Sequence, residues 1–442
     1  MSTPSSLPRV LGAFDVYVLL VGTVIGSGIF LVSATMAAAV QSPMLMLGVW
    51  VVGGALSLFG TLALSELSAA YPDSGGIYVY LREAYGPLIA FLFGWTSFVV
   101  IEAGAVATLA SAFSTKYLPY FVALPPWGTK AAAVALIAVL TTINVIGVRH
   151  GAFVQRTLTI IKMSAILGVI VAIFTTAPGS PSHFVTPAAP PWSLGLLSQA
   201  GVALVASLWA YKGWELVTFV AGEVKNPQRN LPLGLVLGTL TILVLYIGAN
   251  LAYLWVLPIE AIAASKRIAA DAMQAGVGGS AATIIAGIVL VSITGAMNGN
   301  ILTAPRLFFA MAQDGLFFER VATVHPRFLT PHISIIAMSS WAAVLAISGT
   351  FEQLAAYVVF GVWIFMGLTG VAVIVLRHTA PDRPRPYKTW GYPVTPVLFV
   401  LAALFISVNA LIAQFWNAAA GLGLIALGIP AFMIWKSRSR SV

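Results

Sequence analysis

The sequence contains no cysteine and very few charged residues. Only 8% of its 442 residues are charged, whereas an average soluble domain carries roughly 25%. The missing cysteines exclude a disulfide framework, a thiolate metal site and a disulfide-linked partner chain. The low charge excludes a soluble globular protein. The basic residues behind the net charge of +9 are sparse, unlike the dense basic stripe of a nucleic-acid-binding protein, so no nucleic acid partner is expected.

Apolar residues make up 60% of the chain. A helix that crosses a lipid bilayer needs about 20 of them, and apolar runs between short polar breaks predict an all-α integral membrane protein with about twelve such helices. Little chain remains for a domain outside the bilayer, so a single transmembrane domain is expected over residues 1–442. The predicted helices cover approximately residues 12–38, 43–69, 87–114, 129–148, 157–177, 196–220, 232–257, 281–311, 332–349, 353–376, 394–412 and 417–435.

The positions of the basic residues predict an orientation. Sixteen of the 22 Lys and Arg residues fall on one predicted side of the membrane and four on the other. Basic residues in short loops are retained on the cytoplasmic side, which predicts a multi-pass protein of the cell inner (plasma) membrane with both termini cytoplasmic. The remaining two, Lys162 and Lys212, fall inside predicted helices.

The first predicted helix carries three glycines in seven residues, at Gly22, Gly26 and Gly28. Glycine costs about 1 kcal/mol relative to alanine in a helix interior, so this run favours a break. In a bilayer, freed backbone groups are tolerated only where they line a protein cavity. A half-helix beginning near Ser27 would point its amides at that cavity, a suitable site for a carboxylate. Close packing of small residues between helices is the alternative interpretation.

A second polar interruption, Trp-Ala-Tyr-Lys-Gly-Trp-Glu at residues 209–215, lies five helices later. Matching interruptions in two halves of a membrane protein indicate a transporter with a substrate site near the bilayer midplane. Because five is odd, the two halves are predicted to be inverted with respect to each other. Their approximate ranges are residues 10–178 and 195–377, followed by two extra helices at about 393–436.

Several motifs occur in about the first 335 residues. They are Gly-Thr-Val-Ile-Gly-Ser-Gly-Ile-Phe at 22–30, residues 66–71 followed by Pro-Asp-Ser-Gly-Gly-Ile-Tyr at 72–78, Ala-Tyr-Lys-Gly-Trp at 210–214, Gly-Glu-Val-Lys-Asn-Pro-Gln-Arg-Asn-Leu-Pro at 222–232, Asn-Gly-Asn at 298–300 followed by residues 304–315, and His-Pro at 325–326. Together they resemble the motifs of the amino acid-polyamine-organocation superfamily, in particular the L-type amino acid transporter-like bacterial exchangers. The resemblance implies the LeuT-like fold, with helices 1 and 6 unwound around an L-amino acid.

The resemblance implies roles for individual positions. The substrate carboxylate would meet the amides of Ser27 and Gly28, with Gly26 shaping the turn. The substrate ammonium would meet carbonyls around Val24, Trp209 and Lys212, and Trp209 would also act as an aromatic outer gate. An ordinary packing role is the alternative for Trp209.

The resemblance also implies that Lys162 occupies the place where sodium-coupled relatives of the fold bind sodium. It would bridge carbonyls of the first helix to hydroxyls of the eighth, where Ser292 is the candidate. This predicts sodium-independent transport. Snorkelling of the lysine to the membrane interface is the alternative.

Lys212 departs from the family pattern, which often has a small or acidic residue at this position. It is expected either to pair with Glu102 or Glu215 or to act on charged substrates. The two glutamates are either structural partners of a lysine or proton acceptors. Tyr246 is a candidate cavity-lining residue with a role in gating or coupling, and ordinary packing is the alternative.

Amino acid exchange by alternating access is therefore the predicted function, with no cofactor and no metal. Proton-coupled symport of amino acids or polyamines is the alternative, kept open by the buried acids. An integral-membrane enzyme is disfavoured because the sequence has no His-Glu-x-x-His, Gly-x-Ser-x-Gly or phosphate-binding Gly-Lys-Ser/Thr motif.

Overall fold

The computed structural model describes residues 7–185, 193–278, 281–349, 351–413 and 415–438, and its long elements there are all helices. The all-α prediction is confirmed. The α-helices are α1 Ala13–Val24, α2 Val32–Val40, α3 Pro43–Ala70, α4 Ile77–Tyr85, α5 Pro87–Thr96, α6 Glu102–Ala112, α7 Pro126–Ile146, α8 Val148–Thr176, α9 Leu194–Tyr211, α10 Pro227–Val256, α11 Ile259–Ala264, α12 Ile268–Gly276, α13 Ala281–Thr303, α14 Pro305–Gln313, α15 His332–Ser348, α16 Phe351–Thr379, α17 Val394–Ala413 and α18 Phe415–Arg438.

Within these described ranges, ten helical stretches are long and apolar enough to cross a membrane. The chain is therefore a multi-pass membrane protein. Two of the twelve predicted spans are not among the ten. The predicted span 332–349 corresponds to α15, a shorter apolar helix, and the predicted span 196–220 covers α9, which ends at Tyr211. The ten stretches are Ala13–Phe30, Pro43–Ala70, Pro87–Tyr120, Pro126–Ile146, Val148–Thr176, Pro227–Val256, Ala281–Gln313, Gly361–Thr379, Val394–Ile412 and Ala418–Ser437.

Local sequence signals set several helix boundaries. Proline opens α3, α5 and α7, where its missing N–H is not needed. The Ser193 side chain accepts a hydrogen bond from the Leu196 amide at the start of α9. Gly147, at φ +155°, is the single residue between α7 and α8. The short α4 and the pair α11 and α12 were not predicted from the sequence.

One hydrophobic core runs through the bundle. In it, α1 packs against α8, α10 and α13, and α3 packs against α9 and α10. Outward-facing apolar side chains such as Ile160, Val171 and Val244 are about half exposed or more. Such faces are suited to lipid.

Candidate functional site

The first α-helix stops at Val24, as the glycine run favours. A short 3-10 turn covers Gly28–Phe30, and α2 follows from Val32. In the intervening segment 25–27, which we call the first break, the Gly26 amide donates to the Val24 carbonyl at 2.8 Å. The amides of Ser27 and Gly28 donate to no acceptor among the described residues. Two backbone donors are therefore available where the sequence predicted a carboxylate site.

The second break consists of residues 212–213, between the end of α9 at Tyr211 and a 3-10 helix over Trp214–Glu223. Lys212 is extended, and Gly213 has φ +123°, a conformation open mainly to glycine. A Cβ atom on Gly213 would lie 3.1 Å from the Thr23 carbonyl oxygen. Both the dihedral angle and the neighbouring backbone therefore require glycine here.

The two breaks lie against each other and are joined by hydrogen bonds. Thr23 Oγ1 donates to the Gly213 carbonyl at 3.0 Å. The fully buried Tyr246 of α10 places its hydroxyl 3.3 Å from the Val24 carbonyl and 3.2 Å from the Ala210 carbonyl. The predicted role of Tyr246 as a cavity liner gives way to a bridging role, because its hydroxyl points at backbone carbonyls of both broken segments.

Lys162 of α8 is fully buried and reaches the first break. Its Nζ donates to the Gly22 carbonyl at 2.6 Å, to the Ile25 carbonyl at 2.7 Å and to the Ser292 carbonyl at 3.3 Å. The lysine does not snorkel outward. The Ser292 hydroxyl acts in parallel, since its Oγ lies 2.9 Å from the carbonyl oxygens of Ile25 and Gly26. Lys162 and Ser292 thus meet through the serine backbone, and the expected contact with the serine hydroxyl is not formed.

A cavity lies between the two breaks, with about 680 Å³ of empty space when its open mouth is included. The six residues predicted for the substrate, Val24, Gly26, Ser27, Gly28, Trp209 and Lys212, all line it. Further lining residues come from α6 and α13, both continuous helices whose contribution was not predicted. These are Ala105, Thr108, Leu109, Ala296 and Asn300.

Charged side chains gather on one side of this cavity. Lys212 Nζ lies 3.3 Å from Glu215 Oε1, and Glu215 Oε2 accepts the Gly213 amide at 2.9 Å. Glu102 Oε2 accepts from Asn300 Nδ2 at 3.0 Å and interacts electrostatically with Lys212 and Glu215. A π-helical turn, Ser97–Ile101, directly precedes Glu102, and such turns are frequent at functional sites. Of the two glutamates considered as partners for Lys212, Glu215 is the one that forms an ion pair with it.

The bundle is closed at the end that carries α4, which we call the α4 end. There the buried Arg306 binds Glu223, with 2.6 Å between Nε and Oε1. The amides of Val10 and Leu11 donate to the Glu223 carbonyl, and the Lys225 amide donates to the Leu11 carbonyl. These bonds join the segment before α1 to the end of the 3-10 helix that follows the second break.

Asp314 organises the same end. Its Oδ2 accepts from Tyr78 Oη at 2.7 Å and from Arg82 Nη1 at 2.6 Å. Burial and the neighbouring Asp314 carboxylate raise the pKa of Tyr78, which keeps the phenol protonated as a donor. Contacts at this end thus include ion pairs of both Arg306 and Arg82.

Partial exposure of lining residues indicates where the cavity opens. Ala105 and Leu109, one turn apart on α6, and Trp209 and Lys212 across from them are partly exposed. Beyond the second break, residues 214–221, which lead to the α4 end, are all buried. The cavity therefore opens away from the α4 end.

A family model for amino acid permeases matches residues 11–429. Among similar proteins, the serine/threonine exchanger SteT of Bacillus subtilis is 30% identical over 99% of this chain and 99% of its own length. The human b(0,+)-type amino acid transporter 1 is 32% identical over 93% of this chain and 84% of its own. The human cystine/glutamate transporter is 29% identical over 96% and 85%, respectively.

Proposed function

The chain belongs to the amino acid permease family, and from that premise we propose that it exchanges small neutral L-amino acids across the plasma membrane by alternating access. Membership of this family makes the protein a transporter and not an enzyme. The relative that matches nearly end to end is a serine/threonine exchanger, which supports exchange and a small polar substrate. The observation that carries the proposal is the cavity that residues of both interrupted helices line.

In this proposal the backbone of the two breaks binds the zwitterion. The amides of Ser27 and Gly28 receive the carboxylate, while the carbonyls of Val24, Trp209 and Lys212 receive the ammonium. The Trp209 carbonyl already accepts one bond, from the Lys212 amide, whereas the Val24 carbonyl accepts two, from the Gly26 amide and from the Tyr246 hydroxyl. A carbonyl oxygen has two lone pairs, so the Trp209 carbonyl retains capacity for the substrate, whereas the Val24 carbonyl would receive the ammonium by exchanging one of its two present donors.

Side-chain selection then falls to the cavity walls. Ala105, Leu109 and Ala296 are apolar, while Thr108 and Asn300 offer polar contacts. Trp209 stands on the partly exposed side of the cavity, where a closing aromatic ring would separate the substrate from the outside. This composition supports a side chain of modest size that carries at most a hydroxyl.

The proposed architecture has twelve spans. It adds α15, and α9 with the 3-10 helix Trp214–Glu223, to the ten apolar stretches. Two inverted repeats, at about 10–178 and 195–377, would then place the two breaks at equivalent positions, with α17 and α18 as the extra helices. The α4 end would face the cytoplasm, so that the cavity opens outward. Both termini are proposed to be cytoplasmic, although residues 1–6 and 439–442 lie outside the described ranges.

The proposed transport needs no sodium, because Lys162 already supplies a cation to the Gly22 and Ile25 carbonyls. A second cation at these oxygens would be repelled by the ammonium. The Lys162 ammonium would thus stabilise the first break in the place of a co-transported sodium ion.

The test is uptake into proteoliposomes that contain the full chain. Labelled L-threonine outside and unlabelled L-serine inside should give saturable uptake, and liposomes without internal amino acid should give much less. Competition by all twenty L-amino acids defines the substrate range, and D-serine tests stereoselectivity. Replacing sodium with choline should leave uptake unchanged. Uptake that does not depend on internal amino acid would contradict exchange, and loss of uptake in choline would contradict sodium independence.

A further inference from the structure

Three ionisable side chains beside the cavity do not balance in charge. Glu102 and Glu215 are 1% and 2% exposed, and the Lys212 side chain is 13% exposed. Two carboxylates and one ammonium leave one negative charge without a partner. An uncompensated charge in a protein interior is costly, and such groups bind a counter-charge or become neutral.

Among the described residues, the helices packed against α6 provide no second cation. The other buried lysine of this region, Lys162 of α8, is bound to the carbonyls of Gly22, Ile25 and Ser292. Helix α13 packs against α6 and has no ionisable residue. Among the described side chains of α7, α15 and α16, the ionisable groups stand in terminal turns. Lys116, at the end of the span that contains Glu102, is exposed. The terminal groups are Lys130, His332, Arg377 and His378.

Hydrogen bonding distinguishes the two carboxylates. Glu215 already receives the Gly213 amide and lies beside the Lys212 ammonium, so it has two partners. Glu102 has Asn300 as its partner. Asn300 is 3% exposed, and its Oδ1 has no hydrogen-bond partner among the described residues. A buried acceptor without a donor costs about 1–3 kcal/mol, and a protonated Glu102 carboxyl next to this amide provides one.

We propose that Glu102 binds a proton together with the amino acid, and that Asn300, Lys212 and Glu215 form its surroundings. The rate of exchange then increases at acidic pH. Asn300 and Lys212 line the substrate cavity, which connects the proton site to the substrate site. The excess negative charge repels the substrate carboxylate at Ser27 and Gly28. Neutralising it therefore favours substrate binding, and by linkage the bound substrate favours the proton.

This inference rests on the proposed exchange function, and the experiment separates the two. Proteoliposomes loaded with L-serine take up labelled L-serine at equal internal and external pH, from about 5.5 to about 8.5, a range that covers the titration of a perturbed carboxyl. Wild-type exchange should rise by about fivefold or more towards acid, the lower end of typical coupling between two ligands. Glu102→Gln mimics the protonated carboxyl and should give a flat profile near the acid rate. Glu260→Gln, at an exposed glutamate of α11, is the matched control and should keep the wild-type profile.

A binding measurement covers the case in which Glu102→Gln does not fold. L-Serine added to purified wild-type protein in weakly buffered solution at mildly alkaline pH should cause proton uptake, detected with a pH-sensitive dye. A flat wild-type profile, an unchanged profile in Glu102→Gln, or serine binding without proton uptake would overturn the proposal. Absence of L-serine exchange by the wild type at every pH would instead count against the serine-exchange function.

Discussion

The first break is held from outside, by Lys162 of α8 and Ser292 of α13, whereas the second break is held largely by its own sequence neighbours. Among the described residues, the Lys162 ammonium donates hydrogen bonds only to carbonyl oxygens. Lys212 contacts the Glu215 carboxylate three positions along the chain. The first arrangement fixes a charge against neutral dipoles that cannot titrate. The second places a charge among carboxylates that can gain or lose protons, so the second break is expected to respond to pH.

The largest effect is expected for Lys162→Ala. This change removes the ammonium from the carbonyls of Gly22, Ile25 and Ser292. Ile25 keeps the Ser292 hydroxyl, so the cost of about 1–3 kcal/mol for a buried unsatisfied group applies to Gly22. Exchange should fall more than about tenfold and thermal stability should decrease. Proteoliposome uptake and thermal unfolding of the purified protein measure both. Lys130→Ala, at an exposed lysine of α7, is the matched control. Wild-type behaviour of Lys162→Ala would mean that the first break keeps its shape without external support.

Gly213→Ala tests the internal geometry of the second break. The substitution places an alanine at a position where the fold requires φ +123°, and its Cβ would lie 3.1 Å from the Thr23 carbonyl oxygen. Left-handed backbone costs about 1–2 kcal/mol for such a residue, so exchange should drop about tenfold. Gly26→Ala is the matched variant in the first break, because its Cβ would meet nothing closer than 3.8 Å. Equal loss in both variants would argue against a special requirement at Gly213.

The pH profile of exchange by Lys212→Ala, compared with that of Lys162→Ala, tests whether the two lysines act differently. Removing the ammonium leaves Glu102 and Glu215 buried without a cation, so exchange at neutral pH should fall by about threefold to tenfold. Acid should restore part of the rate, because protonation removes the unpaired charges. Lys162→Ala keeps Glu102 and its neighbours, so its rate should rise in acid only by the wild-type factor. Lys212→Arg keeps the charge and is the control, and pH profiles of uptake make the measurement. The same residual rate at all pH values would remove the distinction between the breaks.

The smallest effect is expected for Ser292→Ala. The hydroxyl shares its donor between the Ile25 and Gly26 carbonyls, and its loss should cost about 1 kcal/mol because Lys162 still binds Ile25. Exchange should decrease about twofold. Thr294→Ala removes a hydroxyl that bonds only within α13, to the Leu290 carbonyl, and should be neutral by the same uptake assay.

The sequence allowed the interrupted positions to be located because glycine and lysine are costly inside a membrane helix. The glycine run therefore located Gly26 and Gly28, and the second interruption located Lys212 and Gly213, all of which line the cavity. Thr108 and Leu109 were missed because they lie on a continuous helix with no unusual local composition. Asn300 belonged to a recognised motif, but its contact with Glu102 depends on how α6 and α13 pack. The Ser292 hydroxyl direction depends on a rotamer, which residue spacing does not determine.

The joint between residues 10–11 and 223–225 consists of backbone hydrogen bonds. Such a joint does not depend on side-chain identity, so these positions can change during evolution while the connection between the two broken segments is retained. Only proline at 10, 11 or 225 would remove a required donor. Divergent sequences can therefore preserve this coupling without any sequence motif that marks it.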